Sequence, residues 1–174
     1  KMEKYIIDKK NLGESVGVIV EIVVKNPPVG LGEPCFDKLH ADLGKALLSI
    51  GTVKGFEIGS GFEVAEMDGS ENNDSYIMKS KTPKTGVNLQ KNYAGGIQGG
   101  ISIGADIIMR VAVKPPSSIG KEQSTIDKKG RRVSVKIEGR HDACIIPRFI
   151  PVAEAMVALT LADHLLRQNS SKIF

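Results

Sequence analysis

The run from Ser15 to Lys25, Ser-Val-Gly-Val-Ile-Val-Glu-Ile-Val-Val-Lys, constrains the fold more than any other stretch of this chain. Side chains branched at Cβ are stiff at χ1 and fit a pleated, half-buried surface better than a helix. The run is too apolar to face water on both sides, so it is read as a strand. Asn26-Pro27-Pro28 stops it, because proline cannot donate to a ladder. Gly30-Leu31-Gly32-Glu33-Pro34 is a loop. A helix is expected from about Pro34 to Ile50, with Phe36, Leu39, Leu43, Leu47 and Ile50 on one buried stripe. Gly51 is expected to cap it.

Two short strands are expected next, Thr52 to Ile58 and Phe62 to Met67, joined around Gly59-Ser60-Gly61. The polar, aperiodic stretch from about 69 to 91 reads as a long, mobile loop. Asp106 to Val113 is a further strand ending at Lys114-Pro115-Pro116. Gln123 to Ile126 and Val133 to Ile137 read as a hairpin around Lys128-Lys129-Gly130. Arg148 to Gln168 reads as a long helix with Pro151 near its start. It is apolar almost all round and is expected to be buried among other elements. Residues 1 to 14 are polar, and helical or irregular. With no repeats and no evident boundary, residues 1–174 are read as a single domain of mixed, layered α/β class.

The 174 residues suffice for one core. The net charge of +4 suits a phosphorylated or carboxylated small ligand as well as nucleic acid. The one basic cluster, Lys128 to Arg132, flanks a turn and has no interleaved aromatics, which argues against a nucleic-acid surface. Cys35 and Cys144 form no Cys-x-x-Cys pair, so neither a disulfide framework nor a metal site is expected. Two buried or half-buried thiols in a reducing compartment fit better. No apolar run is read as a membrane span, and the amino terminus lacks the apolar centre of a signal peptide. A cytoplasmic or plastid-like location is expected.

Three segments can carry chemistry. Asn92-Tyr93-Ala94-Gly95-Gly96-Ile97-Gln98-Gly99-Gly100 strips side chains from the backbone, so its N–H groups can approach a flat ring or a phosphate. It fits neither a dinucleotide fingerprint nor a phosphate-binding loop ending in Lys-Ser or Lys-Thr. Alone, a tightly packed glycine-rich turn explains it slightly better. Lys114-Pro115-Pro116-Ser117-Ser118 offers a cation and two hydroxyls on a segment stiffened by prolines, which lowers the entropy cost of holding a phosphate. Alone, a polar strand end explains it better. In Gly139-Arg140-His141-Asp142, Arg140 can grip a phosphate or carboxylate through two parallel hydrogen bonds. Asp142 can be kept ionised by neighbouring charge or neutral by burial. A salt-bridged loop is the plain alternative, and an orienting role fits His141. His40, at the margin of the first helix's stripe, reads as a packed histidine. Asp163, in the last helix, should find a hydrogen-bonding partner there.

The order and spacing of these segments resemble the chorismate synthases, from Gly13 to about Gln168. Gly13-Glu14-Ser15-Val16-Gly17 is similar to that family's Gly-Asp-Ser-x-Gly, and Gly30-Leu31-Gly32-Glu33-Pro34 to its Gly-Leu-Gly-Glu-Pro. Ser49 to Gly55 is similar to its helix end and following strand. The three segments above are similar to its Asn-x-Ala-Gly-Gly-Ile-x-Gly-Gly, Lys-Pro-x-Ser-Ser and Gly-Arg-His-Asp. Glu154-Ala155-Met156 falls where the family has the same residues.

The resemblance implies half of a β-α-β sandwich. It implies conversion of 5-enolpyruvylshikimate 3-phosphate to chorismate by anti-1,4-elimination of phosphate with reduced FMN. NADPH would be involved only if the enzyme reduces its own flavin. It also implies a homotetramer. By position, Gly99, Lys114, Pro115, Pro116, Ser117, Ser118 and Arg140 correspond to FMN contacts, and Asp142 to the acid beside the flavin. Gly51 and Thr52 occupy a further flavin contact, where the family has Asn-Ala or Pro-Ala. Ala143 replaces a usual proline. The family's Gly-x-Ser-His-Gly motif has no counterpart here. The chain is therefore expected to be a carboxy-terminal part that is inactive alone. The alternative expectation is a non-enzymatic FMN- or phosphate-binding module.

Overall fold

The computed structural model describes residues 1–77 and 88–171. In chain order the elements are α1 (Met2–Asn11), β1 (Val18–Val24), α2 (Leu39–Leu48), β2 (Val53–Ile58), a 3-10 helix (Gly61–Glu66) and α3 (Gly69–Asn72). There follow β3 (Ile97–Gln98), β4 (Ile101–Ser102), β5 (Ile107–Val113), β6 (Gln123–Ile126), β7 (Arg132–Val135) and α4 (Ile146–Ser171).

The β-branched run forms β1, an edge strand. The sheet order is β1-β5-β2, antiparallel throughout. Strand alternation decides which residues enter the core. Ile107, Met109, Val111 and Val113 of β5 are buried, and Val18, Val20, Ile22 and Val24 of β1 lie beside them in register. Helices α2 and α4 pack on this face through Leu39, Leu43 and Leu47, and through Phe149, Ala153 and Val157. The mixed α/β class is thus built as a sheet carrying two helices on one face.

Among the described residues the opposite face of the sheet is largely open to solvent. Ile19 is 73% exposed, and Glu21, Arg110 and Glu57 stand in one cross-strand row. Arg110 pairs with Glu57 at 2.9 Å.

Several local expectations need correction. The first helix begins at Leu39, not Pro34. Phe36 sits at φ 58 and is 92% exposed, so it leaves the apolar stripe. The backbone enters the left-handed region there, which no helix tolerates. Gly51 does not cap α2; the cap is Ser49 in a right-handed conformation. Phe62 to Met67 is not a strand, because Gly61–Glu66 coils into a 3-10 helix. Cys35 is exposed rather than half-buried.

In α4 only Phe149, Ala153, Val157 and His164 are buried, a single stripe. Leu159 and Leu166 are 66% and 69% exposed, so the helix is not enclosed. Its length and mean hydropathy of 1.5 over an 18-residue window match a membrane span by composition alone, against the sequence expectation. Within the expected loop, Gly69–Asn72 forms one helical turn and Tyr76 pairs with Leu89. Residues 78–87 lie outside the described residues.

Candidate functional site

The cluster of candidate residues forms where β1 begins and β5 ends. Gly17 makes that junction possible. A Cβ at this position would sit 2.8 Å from the Val113 carbonyl oxygen and 3.0 Å from Pro115 Cδ. With hydrogen there instead, the chain entering β1 lies against the chain leaving β5. Ser15 Oγ then donates to the Pro116 carbonyl at 2.6 Å, and Val16 N–H donates to the Ala143 carbonyl at 2.9 Å. One short segment therefore ties the Lys114–Ser118 loop to the Gly139–Asp142 loop. The Lys114 N–H donates to the Thr52 carbonyl at 2.9 Å, which brings Gly51 and Thr52 to the same end of the sheet.

Side chains complete the connection. Lys114 Nζ donates to Ser117 Oγ at 2.8 Å. Ser118 Oγ lies 2.8 Å from His141 Nδ1, and His141 Nε2 lies 3.0 Å from the Ile137 carbonyl oxygen. Arg148 donates to Asp142 at 2.6 Å. The cation beside Asp142 is thus Arg148, in the first turn of α4, and not its chain neighbour Arg140. Nothing in the sequence pattern singled out Arg148. Arg140 is exposed and lines the adjoining cleft.

That cleft is about 740 Å³, between α1 and residues 140–147. Met2, Ile6 and Ile7 form one wall, and Ile146 and Pro147 face them, with Arg140 and Asp142 at the polar side. A smaller hollow of about 260 Å³ adjoins it, lined by Lys10, Glu14, Ser118, His141 and Asp142. An apolar slot edged by charged groups, with the Ser118 hydroxyl in the hollow beside it, has the size and chemistry of a small-molecule site. Lys114, Ser117 and Arg140 can donate to a phosphate, Ser118 adds a hydroxyl beside them, and the apolar slot fits a flat ring. Among the described residues no group of three metal-ligating side chains occurs.

The glycine-rich segment is elsewhere. Gly96 N–H donates to Asn92 Oδ1, while Asp74 accepts from the N–H groups of Tyr93 and Ala94. Asn92 Nδ2 holds the Asp106 carbonyl, at the start of β5. Most of the amides in this segment are spent inside the protein, as in a tightly packed turn. Gly99 alone stays open: it is exposed at φ 61, and a Cβ there would meet nothing within 4 Å. The seven residues of β5 separate this end of the sheet from Lys114, about 20 Å at strand rise. The structure brings together Gly51, Thr52, Lys114 to Ser118, Arg140 and Asp142, and leaves Gly99 apart from them.

A second polar contact was not legible as a pair. His164, 2% exposed, places Nε2 3.0 Å from Asp42 Oδ2, joining α4 to α2. Asp163, whose partner the sequence left unnamed, pairs with Arg167 at 2.7 Å. That hydrogen bond, more than any other interaction, holds the Arg167 guanidinium above its ordinary pKa.

Comparison with known proteins gives the context. The family model described as chorismate synthase matches residues 1–166. A chorismate synthase of Christiangramia forsetii is 52% identical over 173 residues, covering 99% of this chain and 47% of that protein. One of Methanosarcina acetivorans is 56% identical over 170 residues, covering 97% and 46%. A solved structure titled "Crystal Structure of Chorismate Synthase" superposes with a TM-score of 0.75 at 31% identity, covering 96% of this chain and 42% of that one. The chain thus spans a little less than half the length of the relatives it matches. With a family match over nearly all of its residues, this chain belongs to the chorismate synthase family.

Proposed function

We propose that these residues form the flavin-holding wall of a chorismate synthase. Such an enzyme is a lyase that eliminates phosphate from 5-enolpyruvylshikimate 3-phosphate across the 1,4 positions, in aromatic amino-acid biosynthesis. The observation that carries the reading is the union of Lys114–Ser118 with Gly139–Asp142 beside an apolar slot. Reduced FMN, when bound, supplies transient electron density as the phosphate leaves. Lys114, Ser117, Ser118 and Arg140 would hold the flavin's phosphate and ribityl end, and the backbone of Gly51 and Thr52 would approach it at Lys114. The two prolines pre-order the loop, so less freedom is lost on binding.

Asp142 would lie near the reacting edge of the flavin. Its ion pair with Arg148 orients the carboxylate, and it would hold or accept a proton there. The apolar wall from α1 and Ile146 would exclude water, which strengthens the charges inside the slot. Gly99, at the far end of the sheet, would reach a flavin only as part of a larger assembly. We place that assembly as a homotetramer in the cytoplasm, with NADPH involved only if the assembly reduces its own flavin, and with no nucleic-acid or membrane partner.

These 174 residues contain no adjacent Ser-His dipeptide, and their only histidines are His40, His141 and His164. We therefore propose that the chain turns over little or no substrate alone. The test is phosphate release under anaerobic conditions with reduced FMN. The chain alone should be silent, and adding the amino-terminal half of the Methanosarcina acetivorans relative should restore turnover. Full-rate turnover by the chain alone would refute its dependence on a second half. Flavin binding that no complement converts to turnover would favour a binding module instead.

A further inference from the structure

His141 makes two hydrogen bonds, and one of them fixes the other. The Ile137 carbonyl oxygen, 3.0 Å from Nε2, can only accept. Nε2 therefore carries a proton. In the neutral ring Nδ1 is then a bare acceptor, and the Ser118 hydroxyl, 2.8 Å away, must donate to it. The neighbouring serine has the reverse arrangement. Lys114 Nζ has only protons to give, so at 2.8 Å Ser117 Oγ accepts and its own proton stays available.

We propose that His141 is a positioning residue that sets the hydrogen-bond polarity of Ser118, so that the two serines present opposite faces to a ligand. Ser117 meets the ligand as a donor beside a cation, which suits an anionic oxygen. Ser118 meets it with lone pairs, which suits a hydroxyl. The pair reads an anionic phosphate oxygen next to a hydroxyl, the arrangement at the ribityl phosphate end of FMN. This identification of the ligand rests on the flavin reading above; the polarity itself does not. His141 also joins the two loops mechanically, since Ser118 and Asp142 lie on different loops and both border the same hollow.

The test has two independent arms, both on the whole chain. Nitrogen NMR of the His141 ring reads which nitrogen is protonated without any flavin. In the neutral ring a proton on Nε2 with Nδ1 bare is expected, and a neutral ring protonated on Nδ1 instead overturns the proposal. Flavin fluorescence titration then compares FMN with riboflavin across variants, with circular dichroism confirming each fold. His141→Asn keeps an acceptor at the Nδ1 position and should bind FMN within about twofold of the parent. His141→Ala should lose about fivefold, the worth of one neutral hydrogen bond. His141→Gln, which keeps only the reach to Ile137, should behave like alanine.

Ser117→Ala should weaken FMN but not riboflavin, whereas Ser118→Ala should weaken both alike. Equal FMN binding by the parent and His141→Ala, or failure of asparagine to rescue, overturns the proposal. If the parent binds no flavin at all, the flavin reading fails by itself and the ring's protonation still decides the polarity.

Discussion

Replacing Gly17 with alanine perturbs the junction on which the candidate site depends. The added Cβ would lie 2.8 Å from the Val113 carbonyl oxygen and 3.0 Å from Pro115 Cδ, against an ordinary contact of 3.4–4 Å. The backbone must therefore open by about half an ångström, and the obstacles are main chain and a proline ring, which do not rotate away. Gly17 is not among the glycines with positive φ, so the whole cost is steric. Overpacking of this kind costs about 1–3 kcal/mol.

Gly51→Ala is the matched control. A Cβ there meets nothing within 4 Å, and the backbone is not left-handed. That change should be neutral or stabilise by about 0.4–1 kcal/mol through the unfolded chain. The assay is urea unfolding followed by circular dichroism, comparing midpoints at equal slope. Gly17→Ala should fall and Gly51→Ala should not. Equal midpoints for Gly17→Ala and the parent, or an equal fall in both variants, would refute the reasoning.

Leu43 is fully buried between α2 and the sheet, so Leu43→Ala should cost about 2–5 kcal/mol in the same assay. Asp42→Ala leaves the buried His164 ring without its partner and should cost about 1–3 kcal/mol, while Asp42→Asn, which keeps an acceptor oxygen, should cost clearly less. Asp142→Asn breaks a largely exposed ion pair with Arg148 and should change stability by less than about 1 kcal/mol. In the complemented enzyme the same change should lower turnover sharply, and loss of fold instead of turnover would count against Asp142's assigned place.

The main elements were legible because their signals are local. β1 follows from its density of β-branched residues, and β5 from an apolar run ended by two prolines. Leu39, Leu43 and Leu47 mark the buried side of α2 by helical spacing. What the sequence could not show were the choices made by tertiary contact. Phe36 continues the helical spacing, yet a left-handed backbone turns it out to solvent. The exposed side of α4 carries Val152, Leu159 and Leu166. Periodicity counts apolar residues and cannot say which of them meet a partner, so the helix read as enclosed.

The candidate site divides in the same way. Its residue types were visible, and their resemblance to family motifs supplied the roles. Their assembly was not visible. Arg148 reaches Asp142 only because α4 begins directly after the loop, and Ser118 meets His141 across 23 residues. The glycine-rich segment is the strongest pattern in the sequence, yet it lies at the other end of the sheet with most of its amides already engaged.

Equilibrium titration of FMN against the chain tests the central claim most directly. Saturable quenching of flavin fluorescence is expected, tighter for FMN than for riboflavin, and weakened by Arg140→Ala and by Lys114→Ala without loss of fold. No saturable binding, or binding indifferent to both substitutions, would contradict the assignment of these two loops as one flavin-holding wall.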